Sequence, residues 1–341
     1  MSLSRLVSAI PESKIDSVEK ALRSAFPGRS VDDITILAGG LSSALVYRIV
    51  VDGTPYVLRL VLQVNAFNDP ARQYACMEIA ANGGIAPPVY HTNADDAVSI
   101  TGFVEAQSIA DHFASPFERA TAMAGLAKSI HALPLFPKLV SYLDGIDMFI
   151  QNYRDRGLLP ESATAEHFAL YAEIQRAYPR HDPDVVSSHN DLNPNNILFD
   201  GSKFWVIDWE AAFQSDPYVD LATISRTMPA EAALEEHFLL AYFGDTLDDY
   251  KRARYFLMQQ VCHMFYAMAF MSMVAAQLPA GSRVDPAMNT PRLGEFHGLV
   301  GRGTLSLGDR ETQLTYAKVA LNEALHNMKT SRFSQSIALM G

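Results

Sequence analysis

One hairpin signal constrains this chain more than any other feature. Residues 187–221 read SSHNDLNPNNILFDGSKFWVIDWEAAFQSDPYVDL. Asp200-Gly201 separates two short apolar runs, Ile197-Leu198-Phe199 and Phe204-Trp205-Val206-Ile207. Two such runs around an Asp-Gly turn read as an antiparallel β-hairpin. Residues at equal distance from the turn lie side by side. Asn196 enters the first strand and Asp208 leaves the second, so both emerge at the open end, roughly facing each other.

That placement carries chemistry. An amide oxygen and a carboxylate on a rigid hairpin are hard ligands suited to Mg²⁺, which takes few protein ligands and completes its shell with water and phosphates. Asp191 lies five residues before Asn196, in a loop that Pro194 should keep out of a helix. It can bring a second carboxylate beside the pair without being a ligand. An Asp to accept a hydroxyl proton, with Asn and Asp to hold metal on phosphates, is the layout phosphoryl transfer needs. Each residue also has an ordinary reading: Asp191 as a turn residue, Asn196 as a strand-edge amide, Asp208 as a helix cap. Taken together, those readings require several coincidences of spacing.

His189-Asn190-Asp191 followed by Asn196, then Ile207-Asp208-Trp209-Glu210, resembles the protein-kinase-like small-molecule kinases, which include the aminoglycoside phosphotransferases and the choline/ethanolamine kinases. His189, Asp191 and Asn196 match the H-x-D-x-x-x-x-N catalytic loop, and Asp208 matches the metal-binding Asp that follows the next strand. Asp216-Pro217 and Asp220-Leu221-Ala222 match the D-P-x-x-D-L-A segment. The resemblance implies a bilobal, protein-kinase-like α+β fold. A small antiparallel β lobe with a helix would span residues 1–105, and a larger, mainly helical lobe 106–341. It also implies ATP and Mg²⁺ as cofactors, Asp191 as base, and Asn196 and Asp208 as metal ligands. His189 reads as a brace for the loop, and Asp220 as a buried brace at a helix start.

Ahead of the hairpin, residues 13–26 repeat apolar residues at helical spacing, with Ser13 and Asp16 as candidate caps. Strand patterns follow from 33 to 62, with Asp52-Gly53 as a turn. Gly39-Gly40-Leu41-Ser42-Ser43 lies between the first two strands. Its glycines would let backbone N–H groups approach a phosphate, although no G-K-[ST] follows as in a Walker loop. By the resemblance, Gly39, Gly40, Ser42 and Ser43 cover the nucleotide. Arg59 stands where protein kinases carry a strand Lys, and its planar fork suits phosphates; a half-buried strand Arg is the plainer reading. A helix over 69–82 offers Glu78, its only Glu, as the partner of Arg59, with Gln73 as an alternative acceptor. The strand over 97–104 runs into Glu105-Ala106, the position of the family's adenine-binding hinge.

Beyond the hinge the pattern is helical: 117–133, 148–155, 163–178, 218–226, 230–243, 248–276 and 310–329. Residues 284–303, rich in Gly and Pro, read as loops. Met264, Met268 and Met271 share a helix face and read as core.

Composition narrows the partners. A net charge of −11 over 341 residues argues against nucleic acid and anionic membrane surfaces. It is compatible with a cationic substrate. Cys76 and Cys262 form no CxxC pair, so a reducing, cytoplasmic setting is expected, and no signal peptide is read. The apolar stretch 261–276 is short for a bilayer and reads as a core helix. The acceptor expected is a small hydroxyl compound of the choline/ethanolamine type, with aminoglycosides or other sugars as the alternative. A nucleotide-binding protein without turnover and a protein kinase are rivals. The protein kinase is disfavoured because no activation segment ending in A-P-E follows Asp208. Two features depart from the choline-kinase pattern. Ala211 stands where a Tyr is common, and Arg226 stands where an acid is often found. Phe265, Tyr266 and Phe270 could rebuild an aromatic cage for an ammonium group, and their core reading is equally open.

Overall fold

Alternating burial sets the first sheet. In β2 (Leu45–Val51), Tyr47, Ile49 and Val51 are buried. In β3 (Thr54–Leu60), Tyr56, Leu58 and Leu60 are buried, so Arg59 points to the opposite face. This period of two is what a strand with one buried face requires. Asp52 and Gly53 join these strands with φ of 48° and 75°. Both are positive, as a two-residue hairpin turn demands. With β1 (Val31–Ile36), β4 (Val89–Asn93) and β5 (Val98–Gly102) they form an antiparallel five-stranded sheet in the order β1-β2-β3-β5-β4. Helix α1 (Ile15–Ala25) buries Val18 and Ala21 in the same core as Ile49, Leu58 and Ile100. Neither Ser13 nor Asp16 caps it; a 3₁₀ turn over Glu12–Lys14 leads in, and no side chain bonds the helix start.

These statements rest on a computed structural model, which describes residues 10–37, 44–65, 67–180, 184–226 and 228–341. The loop of Gly39, Gly40, Ser42 and Ser43 lies outside the described residues. By its internal contacts the chain divides into two units: Met1–Leu139 with Val186–Gln214, and Val140–Val185 with Ser215–Gly341. The hairpin, which the expected lobes 1–105 and 106–341 put with the helices, is grouped by these contacts with the sheet. Val206 N donates to Ile85 O at 2.9 Å, and Gln107 N donates to Phe199 O at 2.7 Å.

The first unit also contains α2 (Pro70–Asn82), α3 (Ile109–His112) and α4 (Pro116–His131). In α2, Asp69 accepts from Ala71 N and Pro70 opens the helix, a favourable start since Pro has no N–H to leave unpaired. Strand β6 (Val186–Ser188) leads into the loop at Asp191. The hairpin follows as β7 (Ile197–Phe199) and β8 (Phe204–Val206), in the register Ile197↔Val206 and Phe199↔Phe204. Pro194 opens a single 3₁₀ turn, Pro194–Asn196, where the sequence suggested an open loop. Strand β9 (Phe213–Ser215) closes this segment.

The second unit is helical, with α5 (Tyr142–Arg156), α6 (Glu161–Ala177), α7 (Pro217–Ser225), α8 (Ala232–Phe243), α9 (Asp249–Ala276), α10 (Leu293–Gly301), α11 (Arg310–Met328) and α12 (Ser331–Met340). Helix α9 is central and packs against α5, α7, α11 and α12. Met264, Met268 and Met271 are buried in it, as core filler. No helix among the described residues is long and apolar enough to cross a membrane. Cys76 and Cys262 are buried free thiols. Two helices of this unit escape the periodic reading. Helix α10 lies inside the stretch read as loops, where the fully buried Phe296 anchors it. Helix α12 is held by Phe333 and Ser336 near the end of the chain.

Candidate active site

The turn at Asp200 fixes the hairpin. Asp200 Oδ1 accepts from Ser202 N, Lys203 N and Ser202 Oγ, and Oδ2 accepts from Trp205 Nε1 at 2.7 Å. These bonds, led by that from Trp205, hold its pKa well below the carboxylate range. Gly201 holds φ at 95°, where a Cβ is strained, and packs against the end of the Gln107 side chain. At the open end, Ile207 N donates to Asn196 O at 3.0 Å, which sets Asn196 against Ile207 and brings Asp208 out immediately after.

Two residues here hold a left-handed backbone, Asn190 at φ 61° and Asp208 at φ 62°. Non-glycine residues in this region store strain and concentrate at functional sites. Asn190 is locked from both ends. Its Nδ2 donates to Ala211 O at 3.0 Å, and its Oδ1 accepts from Ser188 Oγ at 2.9 Å. His189 is fully buried; its Nε2 donates to Ile207 O at 2.9 Å, and its ring meets Trp209 at 4.8 Å. It therefore braces the loop against the strand.

Asp191 is oriented by two amides. Its Oδ2 accepts from Asn193 Nδ2 at 3.0 Å and from Asn196 Nδ2 at 3.1 Å, and Asn196 Nδ2 also reaches Asp191 O at 2.8 Å. With its nitrogen so engaged, Asn196 presents its amide oxygen as the remaining acceptor. Asp208 Oδ1 lies 2.9 Å from Arg59 Nη1, yet this buried oxygen receives no aligned hydrogen bond. A buried carboxylate oxygen that accepts no aligned hydrogen bond, beside a committed amide, fits a small oxygen-seeking dication. No cluster of three or more His, Cys, Asp or Glu ligands exists among the described residues, so a metal here would complete its shell from outside the chain.

Arg59 spans two acids. Nη1 meets Asp208, and Nη2 donates to Glu210 Oε2 at 2.7 Å, with the Arg59 side chain only 13% exposed. Burial opposes its charge, but the Asp208 and Glu210 carboxylates outweigh that and hold its pKa above the ordinary value. Tyr74 lies in the same field; burial pushes its phenol up to about 12, with Arg59 acting against the shift. The partner expected from the sequence, Glu78, is not there. Glu78 accepts from Thr92 Oγ1 at 2.5 Å and lines a groove of about 650 Å³ with Tyr90, His91 and Trp205. Gln73 is buried, and its Oε1 accepts nothing. Glu105 is exposed just past β5, in the connector that Gln107 ties to the hairpin.

Sequence reasoning also passed over Arg72, which is 5% exposed. It donates to Ala212 O, Phe67 O and Glu210 O, so α2 holds the backbone that follows Asp208. The readable signal was an Arg inside an otherwise buried helix face.

In the second unit, the D-P-x-x-D-L-A segment starts α7. Asp216 is its cap, accepting from Tyr218 N at 2.9 Å, and its Oδ2 takes Arg254 Nη2 at 2.7 Å and Tyr178 OH at 2.8 Å. Asp220 is fully buried in the first turn. Among the described residues, Arg226, at the end of α7, pairs with no acid. It donates to His263 Nδ1 and, at 2.9 Å, to Tyr316 OH, and its guanidinium lies 4.2 Å from the Tyr266 ring centre.

A five-stranded antiparallel sheet with a strand Arg, followed by an Asp-Asn-Asp hairpin, defines a protein-kinase-like small-molecule phosphotransferase. The chain belongs to the phosphotransferase enzyme family, whose model matches residues 33–256. It is 28% identical over 196 residues to the aminoglycoside 3'-phosphotransferase of Streptomyces fradiae, covering 51% of this chain and 72% of that protein. Among solved structures it is similar to a choline/ethanolamine kinase family protein from Mesorhizobium loti. That match has a TM-score of 0.61 and 20% identity, covering 95% of this chain and 98% of the other. It is also similar to the choline kinase LicA of Streptococcus pneumoniae, with a TM-score of 0.58 and 17% identity, covering 90% and 98%. These structural likenesses establish the shared fold.

Proposed function

We propose that the protein transfers the γ-phosphoryl group of ATP, with Mg²⁺, to a hydroxyl of a small molecule. One observation carries the reading: Asn196 commits its amide nitrogen to Asp191, while Asp208 keeps a buried oxygen that meets only the Arg59 guanidinium, in an ion pair without an aligned hydrogen bond. Asn196 Oδ1 and the Asp208 carboxylate would hold the metal, which when bound neutralises phosphate charge. Asp191, its Oδ2 fixed by two amides, accepts the acceptor's hydroxyl proton. Arg59 supplies a planar cation for the phosphates, oriented by Glu210. The loop of Gly39, Gly40, Ser42 and Ser43 covers the nucleotide, and the backbone at Glu105 receives the adenine edge. The chain's contribution is positioning and charge neutralisation. A buffering, reducing cytoplasm is the setting that fits two free thiols and an ATP-dependent reaction.

Two acceptor classes stand. The fold likeness to choline and ethanolamine kinases favours an amino alcohol, and the sequence likeness to an aminoglycoside phosphotransferase favours an aminoglycoside. A coupled assay over choline, ethanolamine, aminoglycosides, thiamine, homoserine and sugars tests the reading. Turnover of one acceptor, dependent on Mg²⁺ and lost in Asp191→Ala while ATP binding persists, is the expected result. ATP binding without transfer to any acceptor would make the protein a nucleotide binder instead.

A further inference from the structure

Arg226 carries a charge that no acid among the described residues of its own unit neutralises. It ends α7, is half-buried, and is flanked by aromatic rings. Tyr266 stacks on its guanidinium at 4.2 Å, and Tyr316, which accepts from Nη2, in turn packs on Phe296 at 5.1 Å and Phe270 at 4.7 Å. The other hydrogen bond goes to His263 Nδ1. A guanidinium cannot accept a hydrogen bond, so Nδ1 must be the acceptor and the proton sits on Nε2. His263 is therefore neutral. Burial and then the Arg226 charge push its pKa well below the usual value, and His297 nearby is lowered to about 4 by burial first and Arg226 second. Among the described residues, no carboxylate lies within ion-pairing distance of Arg226.

A partly dehydrated cation held only by neutral acceptors is costly unless a counter-ion joins it. The buried Arg254 of this unit does not show this pattern: it meets Asp216 at 2.7 Å. Arg226 commits two N–H groups to protein acceptors, and the rest of its fork remains for a ligand. The Tyr316 hydroxyl, having accepted from Arg226, still has its own hydrogen to donate. The guanidinium also occupies the face of Tyr266, one of the rings available for an ammonium cage, with a cation that belongs to the chain.

We propose that Arg226, framed by Tyr266, Tyr316 and His263, is an anion-recognition residue of the second unit, and that its ligand carries a carboxylate or phosphate group. The planar fork suits either group. Naming the ligand as the phosphoryl acceptor rests on the function proposed above; the anion site itself does not. A separate anion that binds without being phosphorylated is the other source.

Matched pairs test this on the full chain. L-serine and ethanolamine differ by one carboxylate, and glycerol 3-phosphate and glycerol differ by one phosphate. Calorimetric titration of the nucleotide-free protein should show the anionic member of at least one pair binding about tenfold or more tightly than its partner. Arg226→Gln should abolish that preference and Arg226→Lys should keep part of it. Circular dichroism should confirm that both variants are folded. Addition of the anion should also shift the ring resonances of His263 and His297 in wild type, a readout independent of any variant. ³¹P NMR with ATP separates the sources. A new phosphoester on the anionic compound makes it the acceptor, and binding without one makes it a separate ligand; both uphold the site. Anion binding without turnover of any acceptor would sink the kinase reading and leave the site standing. Equal binding of both members in each pair, or an anion preference unchanged in Arg226→Gln, overturns the proposal.

Discussion

Arg59 Nη2 lies 2.7 Å from Glu210 Oε2, which joins the third strand of the sheet to the segment after the hairpin. Glu210 therefore does the orienting that the sequence assigned to Glu78. A hydrogen bond between charged groups contributes about 1.5–3 kcal/mol. Glu210→Gln should accordingly lower kcat/KM for ATP by about 10- to 100-fold. Glu78→Gln should leave it unchanged, since Glu78 serves Thr92. Arg59→Ala should raise KM for ATP and lower kcat, and Arg59→Lys should retain part of the activity because charge survives without the fork. Steady-state kinetics on the four variants checks this, and a larger loss in Glu78→Gln than in Glu210→Gln would reverse the assignment.

The proposed metal pair makes a different prediction. Phosphate charge shifts most in the transition state, so groups that hold the metal act more on turnover than on ground-state binding. Asp208→Asn and Asn196→Ala should each reduce kcat by about a thousandfold or more. Nucleotide affinity, measured by calorimetry, should fall far less. Equal turnover in Asp208→Asn and wild type would remove the metal assignment.

The sequence made the hairpin and the positions of Asn196 and Asp208 at its open end legible because they depend on short-range rules. An Asp-Gly turn fixes a register, and the register places Asn196 and Asp208. The Arg59 partner was not legible because Glu210 and Arg59 are 151 residues apart, and no local period encodes a contact at that range. The acid on α2 is implied by the kinase resemblance and not by any local pattern, and that helix contributes Arg72 instead. Helix α10 was hidden for a compositional reason: glycines at 294, 298 and 301 read as loop punctuation, while the burial of Phe296 comes from tertiary packing that no window reveals.

The ion pair between Asp216 and Arg254 is nearly dry, with side-chain exposures of 12% and 8%. Removing one partner from such a pair leaves a buried charge and costs about 3–5 kcal/mol. Arg254→Met should destabilise the protein by about that amount in urea unfolding. Adding Asp216→Leu should cost less than the two single changes together, since no lone charge remains. Asp216 also caps α7, so the double variant should still lose about 1 kcal/mol for the cap. Strict additivity would show that the pair does not act as a unit.

Acid should loosen the second unit through His297. Its folded pKa is about 4, lowered by burial and by Arg226 from 6.5. The unfolded chain binds the proton more readily, so this contribution is fully present above about pH 6.5 and is lost as pH falls toward 4. With partial exposure discounted, the loss is about 1–2 kcal/mol. His297→Gln should flatten the stability profile in this window, as measured by urea unfolding at a series of pH values. A profile identical to wild type would show that His297 titrates normally.

Asn190 offers the sharpest test of how the backbone positions Asp191. Its φ of 61° suits Gly and, among the rest, Asn. Its amide nitrogen also donates to the Ala211 carbonyl, and its oxygen accepts from Ser188. Two replacements separate the contributions. Asn190→Gly keeps the conformation easy and loses only the bonds, a cost of about 1–3 kcal/mol for buried groups left unpaired. Asn190→Ala loses the same bonds and adds about 1 kcal/mol or more for holding a Cβ in the left-handed region. Both should lower kcat, because the carboxylate of the next residue takes its direction from this turn. Alanine should be the less stable variant in urea unfolding by that further increment. If alanine and glycine prove equally stable, the strained turn is not what sets Asp191. If both keep wild-type kcat, Asp191 is held by Asn193 and Asn196 alone.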